Sequence, residues 1–292
     1  MIQVDFTSPS TEDVKVTRYT FEHLTQYTYE EEAWDSFGTL HLQPVSGRQK
    51  LLDYDLVLRP TGHLRFHTDY FGNVAHEFHV EQHHKELAIL SRGIIEVFSL
   101  ALPSALMTLQ KYQEALPPEF SEFLLPSQHV PAGSWRTNMG FNPEDPSEDL
   151  LSHLDRLNTD IFKAIVYTPG ATDVFTSLQE FTTHKKGVCQ DYAHLMIAIL
   201  REQGIAARYI SGYVYSEKHA EWHGAQASHA WVEVYLPGVG WAGWDPTNGV
   251  RVQEEHIVVA SGRDYADVAP LNGVHSAGGK SELKVEVMVR KF

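Results

Sequence analysis

The single cysteine of this 292-residue chain stands at the start of an apolar pattern with the period of an α-helix. Within residues 187–200, apolar side chains recur three and four positions apart, at Tyr192, Leu195, Met196, Ile199 and Leu200. Gly204 follows at a position where helices commonly end with a glycine. The pattern therefore predicts a helix that carries Cys189 in its first turn.

A helix start allows two interpretations of Cys189. The unpaired N–H groups and the positive end of the helix dipole favour an anion, and a thiolate is such an anion. A buried cysteine that acts as a small apolar residue is the common alternative. The preceding glycine and the polar residues that follow, Gln190 and Asp191, favour a reactive thiol.

A thiolate nucleophile also needs a proton carrier and a group that orients the carrier. Residues 227–235 and 240–248 each contain a histidine or a carboxylate within a pattern typical of strands. Residues 236–239 between them have the composition of a tight turn. These segments together predict a β-hairpin.

The register of this hairpin decides whether its polar side chains meet. If Tyr235 pairs near Trp241, then His229 lies diagonal to Asp245 on the same face, at roughly 7 Å between backbones. A slip of one residue would place the two side chains on opposite faces. With the assumed register, a helix-start Cys189, a strand histidine and a neighbouring carboxylate can converge.

The same segments resemble the transglutaminase-like superfamily of papain-type thiol enzymes, and above all its bacterial branch, whose members are often labelled cysteine proteases. The resemblance implies a papain-like core in which the cysteine helix packs on an antiparallel sheet. It also implies that Cys189 is the nucleophile, His229 the acid and base, and Asp245 the orienting carboxylate. The matching residues are Phe162 and residues 167–172, 187–194, 204–213, 228–235 and 244–248.

The first third of the chain is rich in predicted strands. Short alternating segments separated by turn residues run from residue 14 to about 102, and this arrangement predicts an antiparallel β-sandwich. Residues 86–98 are predicted as two strands. Residues 69–73 resemble the N-terminal module of the same bacterial branch. We therefore expect a two-domain α+β protein with an N-terminal domain over 1–102 and a catalytic core over 103–292.

The catalytic core is predicted to begin with helices and to end with strands. Repeated prolines and apolar stripes predict helices at 106–114, 119–124, 148–166 and 176–181, packed around the cysteine helix. Residues 206–215 are predicted as a strand of the catalytic sheet. Two strands in the tail, at 256–260 and 283–289, are expected to extend that sheet.

The charge balance narrows the range of partners. The chain has 23 Lys and Arg against 38 Asp and Glu, a formal net charge of −15, which argues against binding to nucleic acid or anionic membranes. One cysteine cannot form an internal disulfide. The first residues lack the basic and apolar regions of a secretory leader, and no apolar run suggests a membrane span. A cytoplasmic protein is therefore expected.

Several other residues have two interpretations. Six histidines of the N-terminal domain lack partners at metal-ligand spacing and are predicted to lie at the surface (His63, His67, His76, His79, His83 and His84). A metal site formed by His219, Glu221 and His223 is a weak alternative, because this stretch has the composition of a loop. We expect neither a metal nor a cofactor.

The aromatic and charged residues near the predicted site also allow a structural interpretation. Trp231, Trp241 and Trp244 either flank the site and shield it from water or belong to the core of the sheet. Arg263 and Asp264 form either a fixed ion pair or substrate contacts, and we expect the structural role.

The chemistry expected of this set is acyl transfer to or from a peptide or protein amide. Water as the acceptor makes the protein a cysteine protease or amidase, and an amine makes it a transglutaminase. The bacterial branch is usually hydrolytic, and no calcium-binding loop of the acidic type is present in the sequence. The alternative from another class is a non-catalytic peptide-binding module, against which the complete Cys189, His229 and Asp245 set argues.

Overall fold

The computed structural model describes residues 15–99, 101–143, 145–216, 222–223 and 227–292. Its first five strands form an antiparallel sheet in the order β2-β5-β1-β4-β3. Their bounds are β1 (Val16–Gln43), β2 (Gln49–Arg59), β3 (His63–Thr68), β4 (Val74–Val80) and β5 (His84–Phe98). The predicted α+β class with antiparallel sheets is confirmed.

The N-terminal strands form one curved sheet, a half-barrel, where the sequence predicted two sheets packed face to face. The single sheet results from the 28-residue length of β1, because β1 pairs with β5 in its first half and with β4 in its second. Register shifts between Thr28 and Ala33, and again between Trp34 and Phe37, bend the strand between the two halves. One strand therefore serves both halves of the N-terminal layer.

The prediction of two strands over 86–98 was wrong, because β5 runs unbroken through Gly93. This glycine pairs with Phe21 of β1 and Tyr54 of β2. A β-carbon at position 93 would lie 3.0 Å from the Phe21 ring and 2.3 Å from the Asp53 carbonyl oxygen. Gly93 thus permits a close approach within a continuous strand, where its composition suggested a break.

Helices and two short strands follow. The four predicted helices are present, and the one over 119–124 is a 3₁₀ helix. The elements are α1 (Leu109–Ala115), the 3₁₀ helix (Pro118–Leu124), α2 (Trp135–Met139), α3 (Leu150–Ala164), β6 (Val166–Tyr167), α4 (Leu178–His184), β7 (Lys186–Gly187) and α5 (Cys189–Glu202). The predicted cysteine helix is α5, and Gly204 after it has a left-handed φ of 72°.

The helix α5 lies at the centre of the largest apolar core. Its residues from Tyr192 to Leu200 are buried, and the apolar faces of α1 to α4 pack around it. The leucine stripe of α3 is part of this core, as predicted. A second antiparallel sheet, in the order β11-β10-β9-β8-β12, packs against α5. Its strands are β8 (Ala207–Val214), β9 (His229–Leu236), β10 (Gly240–Asp245), β11 (Val250–Arg251) and β12 (His256–Gly262).

The tail behaves differently from the prediction. Of its two expected strands, β12 does extend the catalytic sheet, beside β8. After α6 (Tyr265–Val268), however, β13 (Leu271–Ala277) and β14 (Ser281–Lys291) both pair with β1. The prediction that the last strand joins the catalytic sheet was therefore wrong. From Tyr19 to Tyr29, β1 pairs with β5 along one edge and with β14 along the other.

Side chains fix the N-terminal sheet against the catalytic sheet. Gln49 donates to the Val258 carbonyl at 2.5 Å and accepts from the Val258 N–H at 3.0 Å. Asn73 makes the same pair of bonds with Ser261, at 2.9 and 2.8 Å. Apolar residues of both sheets share one core beneath these bonds: Tyr19, Phe21, Ile95 and Val97 from the first, and Tyr213, Tyr215, Ile257 and Val259 from the second. None of the helices in the described ranges has the length and apolar character of a membrane span.

Candidate active site

The start of α5 is shaped by Gly187. A β-carbon at this position would lie 2.4 Å from Oδ2 of Asp191 and 2.7 Å from the Phe181 ring. Only glycine therefore lets the chain enter the helix at this distance from its first turn. Cys189 is the first residue of the helix and remains partly exposed. The thiol thus lies where the helix N-terminus favours negative charge.

Asp191 fixes this turn from within. Its Oδ2 accepts a hydrogen bond from the Val188 N–H at 2.8 Å and one from the Thr172 hydroxyl at 2.6 Å. Burial raises the pKa of the Asp191 carboxyl, although both hydrogen bonds oppose the rise. The carboxylate satisfies an N–H group of the helix start and holds the backbone that carries Cys189.

A pair of stacked rings lies beside the cysteine. Tyr167 of β6 is opposite Gly187 of β7, and its ring lies parallel to that of His223 with 4.0 Å between centroids. Burial raises the pKa of Tyr167 to about 12, and the nearby Cys189 adds to this rise. His223 is in turn held by Asn248, whose Oδ1 accepts from the His223 N–H at 2.8 Å. These two rings form an aromatic wall next to the thiol.

His229 and Asp245 occupy neighbouring strands of the catalytic sheet. The pairing assumed from the sequence is confirmed, because Tyr235 lies opposite Trp241. His229 Nε2 lies 2.8 Å from Asp245 Oδ2, and both side chains are fully buried. The other ring nitrogen, Nδ1, makes no hydrogen bond of ordinary geometry with any residue in the described ranges. Cys189 nevertheless lies close enough to raise the pKa of His229.

The two side chains stabilise each other's charged form. Burial by itself lowers the pKa of His229, but the charge and hydrogen bond of Asp245, with a further contribution from Cys189, raise it to about 10. Burial likewise acts to raise the pKa of Asp245. The charge and hydrogen bond of His229, together with a hydrogen bond from His256, hold it well below its usual range. The geometry therefore favours an imidazolium next to a carboxylate.

Asp245 is surrounded by further donors. Its Oδ1 accepts from the backbone N–H groups of Thr247 and Asn248, at 3.0 and 3.2 Å. Its Oδ2 accepts from the Asn248 side-chain amide at 2.7 Å, and His256 Nε2 lies 3.3 Å from the same oxygen. Five donors thus converge on one buried carboxylate, which keeps it ionised and fixed in one orientation.

Two sequence families match parts of this chain. The family described as the transglutaminase-like superfamily matches residues 141–246, which carry Cys189, His229 and Asp245. The family described as the bacterial transglutaminase-like N-terminal region matches residues 19–96. The chain belongs to the transglutaminase-like superfamily.

Two of the relatives of this transglutaminase-like chain cover more than nine-tenths of it, and a third covers less than half. A protein of Mycobacterium leprae described as uncharacterized is 32% identical over 92% of this chain and 97% of its own length. A protein of Mycobacterium tuberculosis, also described as uncharacterized, is 34% identical over 94% of this chain and 93% of its own length. A protein-glutamine gamma-glutamyltransferase of Pseudomonas aeruginosa is 33% identical over 46% of this chain and 21% of its own length.

A solved structure shows the same fold. The crystal structure of a protein of Cytophaga hutchinsonii, described as a "putative cysteine protease", superposes with a TM-score of 0.75. It covers 95% of this chain and 91% of the other, at 20% sequence identity. The overall arrangement of the two sheets and the helices is therefore shared with that structure.

The three tryptophans, for which both flanking the site and packing in the core were left open, lie in different places. Trp231 is beside it, with its ring centroid 6.1 Å from that of His229. Trp244 belongs to the core and donates from Nε1 to Asp155 at 2.9 Å. Trp241 lies under the Arg208 guanidinium at 4.2 Å, among the aromatic rings of the 3₁₀ helix. Only Trp231 therefore borders the histidine.

Arg263 and Asp264 both have structural contacts, but not with each other. Arg263 forms an ion pair with Asp267 at 2.9 Å. Asp264 accepts from the backbone N–H of His129 at 2.7 Å and from that of Ala266 at 2.9 Å, where it caps α6. The prediction of an ion pair between these two residues was wrong, because Arg263 pairs with Asp267 and Asp264 caps α6.

Two of the six N-terminal histidines that were predicted to lie at the surface are buried. His76 and His84 are buried, contrary to the prediction, and His84 bonds to Ser36 and to the Gln82 carbonyl. The other four of the six histidines named in the prediction are half-buried or exposed. His219 and Glu221, from the alternative metal site, lie outside the described residues, and His223 stacks on Tyr167.

Sequence reasoning missed three residues that support the site. Asp191 carried a signal, because a carboxylate in the first turn of a helix commonly accepts from the orphan N–H groups. Asn248 lies within the segment 244–248 that supplied the family resemblance, but no role was assigned to it. His256 was predicted only as part of a tail strand. Its approach to Asp245 depends on β12 lying at the far edge of the catalytic sheet, next to β8.

Proposed function

We propose that this transglutaminase-like protein is a thiol hydrolase of peptide or amide bonds. Cys189 is the nucleophile, His229 carries the proton, and Asp245 orients His229. One observation carries the proposal. Asp245 Oδ2 lies 2.8 Å from His229 Nε2, so the other ring nitrogen, Nδ1, is available to the thiol. Such a set, with the base oriented by a third group, is the general arrangement of activated nucleophiles.

The reaction follows from this arrangement. With the thiol proton already held on His229 Nδ1, the sulfur of the thiolate forms a bond to the carbonyl carbon of the amide. The carbon–nitrogen bond then breaks while the imidazolium gives its proton to the leaving amine, and a thioester remains on Cys189. Water attacks this thioester as His229 removes its proton, and the acid is released with the thiol restored.

The start of α5 can stabilise the intermediate. The tetrahedral intermediate carries its charge on the former carbonyl oxygen, and preorganised N–H donors stabilise such a charge. The backbone N–H of Cys189 lies at the helix N-terminus, where the dipole adds to this effect. The aromatic wall formed by Tyr167 and His223 borders the thiol on one side and is positioned to contact the substrate.

A second candidate function is acyl transfer to an amine. It is favoured by the 33% identity to the protein-glutamine gamma-glutamyltransferase of Pseudomonas aeruginosa. Both reactions share the thioester, and they differ only in whether water or an amine resolves it. We expect hydrolysis to be faster on any substrate that forms the thioester.

The experiment measures how the thioester is resolved. Libraries of peptides and isopeptides are incubated with the full chain, with and without millimolar primary amine, and acid and amide products are quantified by mass spectrometry. We expect predominantly acid products, which are absent with Cys189→Ala. Predominantly amide products that also need Cys189 would make transglutaminase the correct function. No product together with an unreactive Cys189 would favour a peptide-binding module.

A further inference from the structure

A second buried histidine contacts the carboxylate of the proposed triad. His256 is the first residue of β12 and is 2% exposed. Its Nε2 lies 3.3 Å from Asp245 Oδ2, the same oxygen that lies 2.8 Å from His229 Nε2. His256 lies on the strand that joins the catalytic sheet beside β8, whereas His229 lies on β9. The carboxylate is therefore held from two strands by two imidazoles.

The neighbouring backbone fixes which nitrogen of His256 carries the proton. The N–H of Gln253 points at His256 Nδ1, at 3.5 Å, and a backbone N–H can only donate. Nδ1 is therefore the acceptor, and Nε2 carries the hydrogen of the neutral ring. In return, the His256 N–H donates to the Gln253 carbonyl at 3.2 Å, so a tight turn holds the residue. His256 thus donates to Asp245.

The packing around His256 leaves its ring little freedom. Trp231 meets it edge to face, with 5.2 Å between ring centroids and an angle of 78°. Trp231 also lies beside His229, so one indole contacts both imidazoles. A ring that is buried, packed and anchored through Nδ1 can present its Nε2–H to Asp245 without further ordering.

We propose that His256 is a positioning residue, which holds the Asp245 carboxylate in the orientation that serves His229. This inference rests on the proposed function, because it concerns the same triad. The charged and titratable groups around Asp245 are His229 on β9, His256 on β12 and His223 in the preceding loop, with Cys189 reached through His229. Donors from Thr247 and Asn248 complete the carboxylate's surroundings.

The test replaces the donor while keeping the volume. His256→Phe retains a ring but cannot donate, and His256→Gln retains an amide donor of similar reach. Alkylation of Cys189 by iodoacetamide is measured from pH 5 to 9, and circular dichroism checks the fold. Loss of a hydrogen bond to a charged group corresponds to roughly a tenfold change. We therefore expect His256→Phe to alkylate about 10-fold more slowly below neutral pH, with a much smaller change at pH 9.

The conservative variant and a matched control separate positioning from packing. His256→Gln is expected to recover most of the low-pH rate, whereas a purely structural role predicts no such recovery. His84→Phe changes another buried histidine, one that bonds to Ser36, and is expected to leave the alkylation profile unchanged. An unchanged profile in folded His256→Phe would overturn the proposal.

A measurement on the unaltered protein covers the case in which His256→Phe does not fold. Long-range ¹H–¹⁵N spectra of the imidazoles are expected to show His256 protonated at Nε2 and unprotonated at Nδ1. A His256 ring protonated at Nδ1 alone would overturn the proposal. The alkylation assay requires no substrate, so a failure of hydrolysis would refute the proposed function without affecting this test.

Discussion

Replacing Asp245 by asparagine tests the charge of the proposed triad with almost no change in shape. Asparagine offers one acceptor oxygen and one donor amide, whereas the carboxylate accepts five donors on its two oxygens. The new amide must face either the N–H groups of Thr247 and Asn248 or the donors at Oδ2. In both orientations donors oppose donors, and the charge that stabilises the imidazolium is gone.

The size of the effect follows from the pKa of His229. At a pKa of about 10, the imidazolium exceeds the neutral ring by roughly a thousandfold at pH 7. Without Asp245, the strongest influence that raises this pKa is removed, while burial continues to lower it. If the pKa returned only to the ordinary value of about 6.5, roughly a quarter of the rings would be charged at pH 7.

The loss of charged His229 is measured by the rate at which iodoacetamide alkylates Cys189. Cys189 is the only cysteine, so the mass increase on iodoacetamide treatment reports one site. At pH 7 we expect Asp245→Asn to lower the alkylation rate by at least about 4-fold and the turnover of any substrate by on the order of 10³-fold. At pH 9 the alkylation rate should change little, because an ordinary thiol with a pKa of about 8.5 is then largely ionised.

A second carboxylate provides the control. Asp155 accepts from Trp244 and Arg251 rather than from a residue of the proposed triad, so Asp155→Asn should leave the pH profile of alkylation unchanged. If Asp245→Asn and the unaltered protein gave the same profile while both remained folded, the argument that the carboxylate stabilises a charged His229 would be refuted.

Two further predictions concern stability. Folding raises the pKa of His229 to about 10, so protonation of His229 stabilises the folded protein. This stabilisation is complete below the unfolded pKa of about 6.5 and is lost as the pH rises towards 10. Between these pH values the free energy of unfolding should fall by up to about 1.4 kcal/mol per pH unit. Denaturant titrations check this, and a slope equal to that of His229→Gln would contradict it. Gly187→Ala should lower the free energy of unfolding by roughly 1–3 kcal/mol, because the new methyl group meets Asp191 and Phe181. Asp191 moves in response, so the alkylation rate should also fall, and an unchanged melting temperature and rate would show that the turn relaxes freely.

Local pattern was sufficient to predict the elements that carry the proposed triad. The apolar period of α5 and the glycine after it located the helix, and the turn between β9 and β10 determined the register of Tyr235 against Trp241. These features depend on residues close together in the sequence, where periodicity and turn chemistry are informative. The contact between His229 and Asp245 follows from that register.

Long-range pairing could not be predicted in the same way. The alternation in β14 identifies a strand but not its partner, and both sheets offered an edge. The approach of His256 to Asp245 depends on β12 lying beside β8, which no pattern within β12 reveals. The continuity of β5 through Gly93 depends on the ring of Phe21, about seventy residues earlier in the chain.

The pairing of β1 with β14 joins two segments that are synthesised far apart in time. Residues Tyr19 to Tyr29 emerge from the ribosome long before residues Ser281 to Lys291, which are their hydrogen-bond partners on one side. That side of β1 is an open strand edge until β14 has been made, and open edges invite pairing with other chains. The N-terminal sheet therefore cannot be completed before the strands of the second sheet have been synthesised, because β14 follows them in the chain.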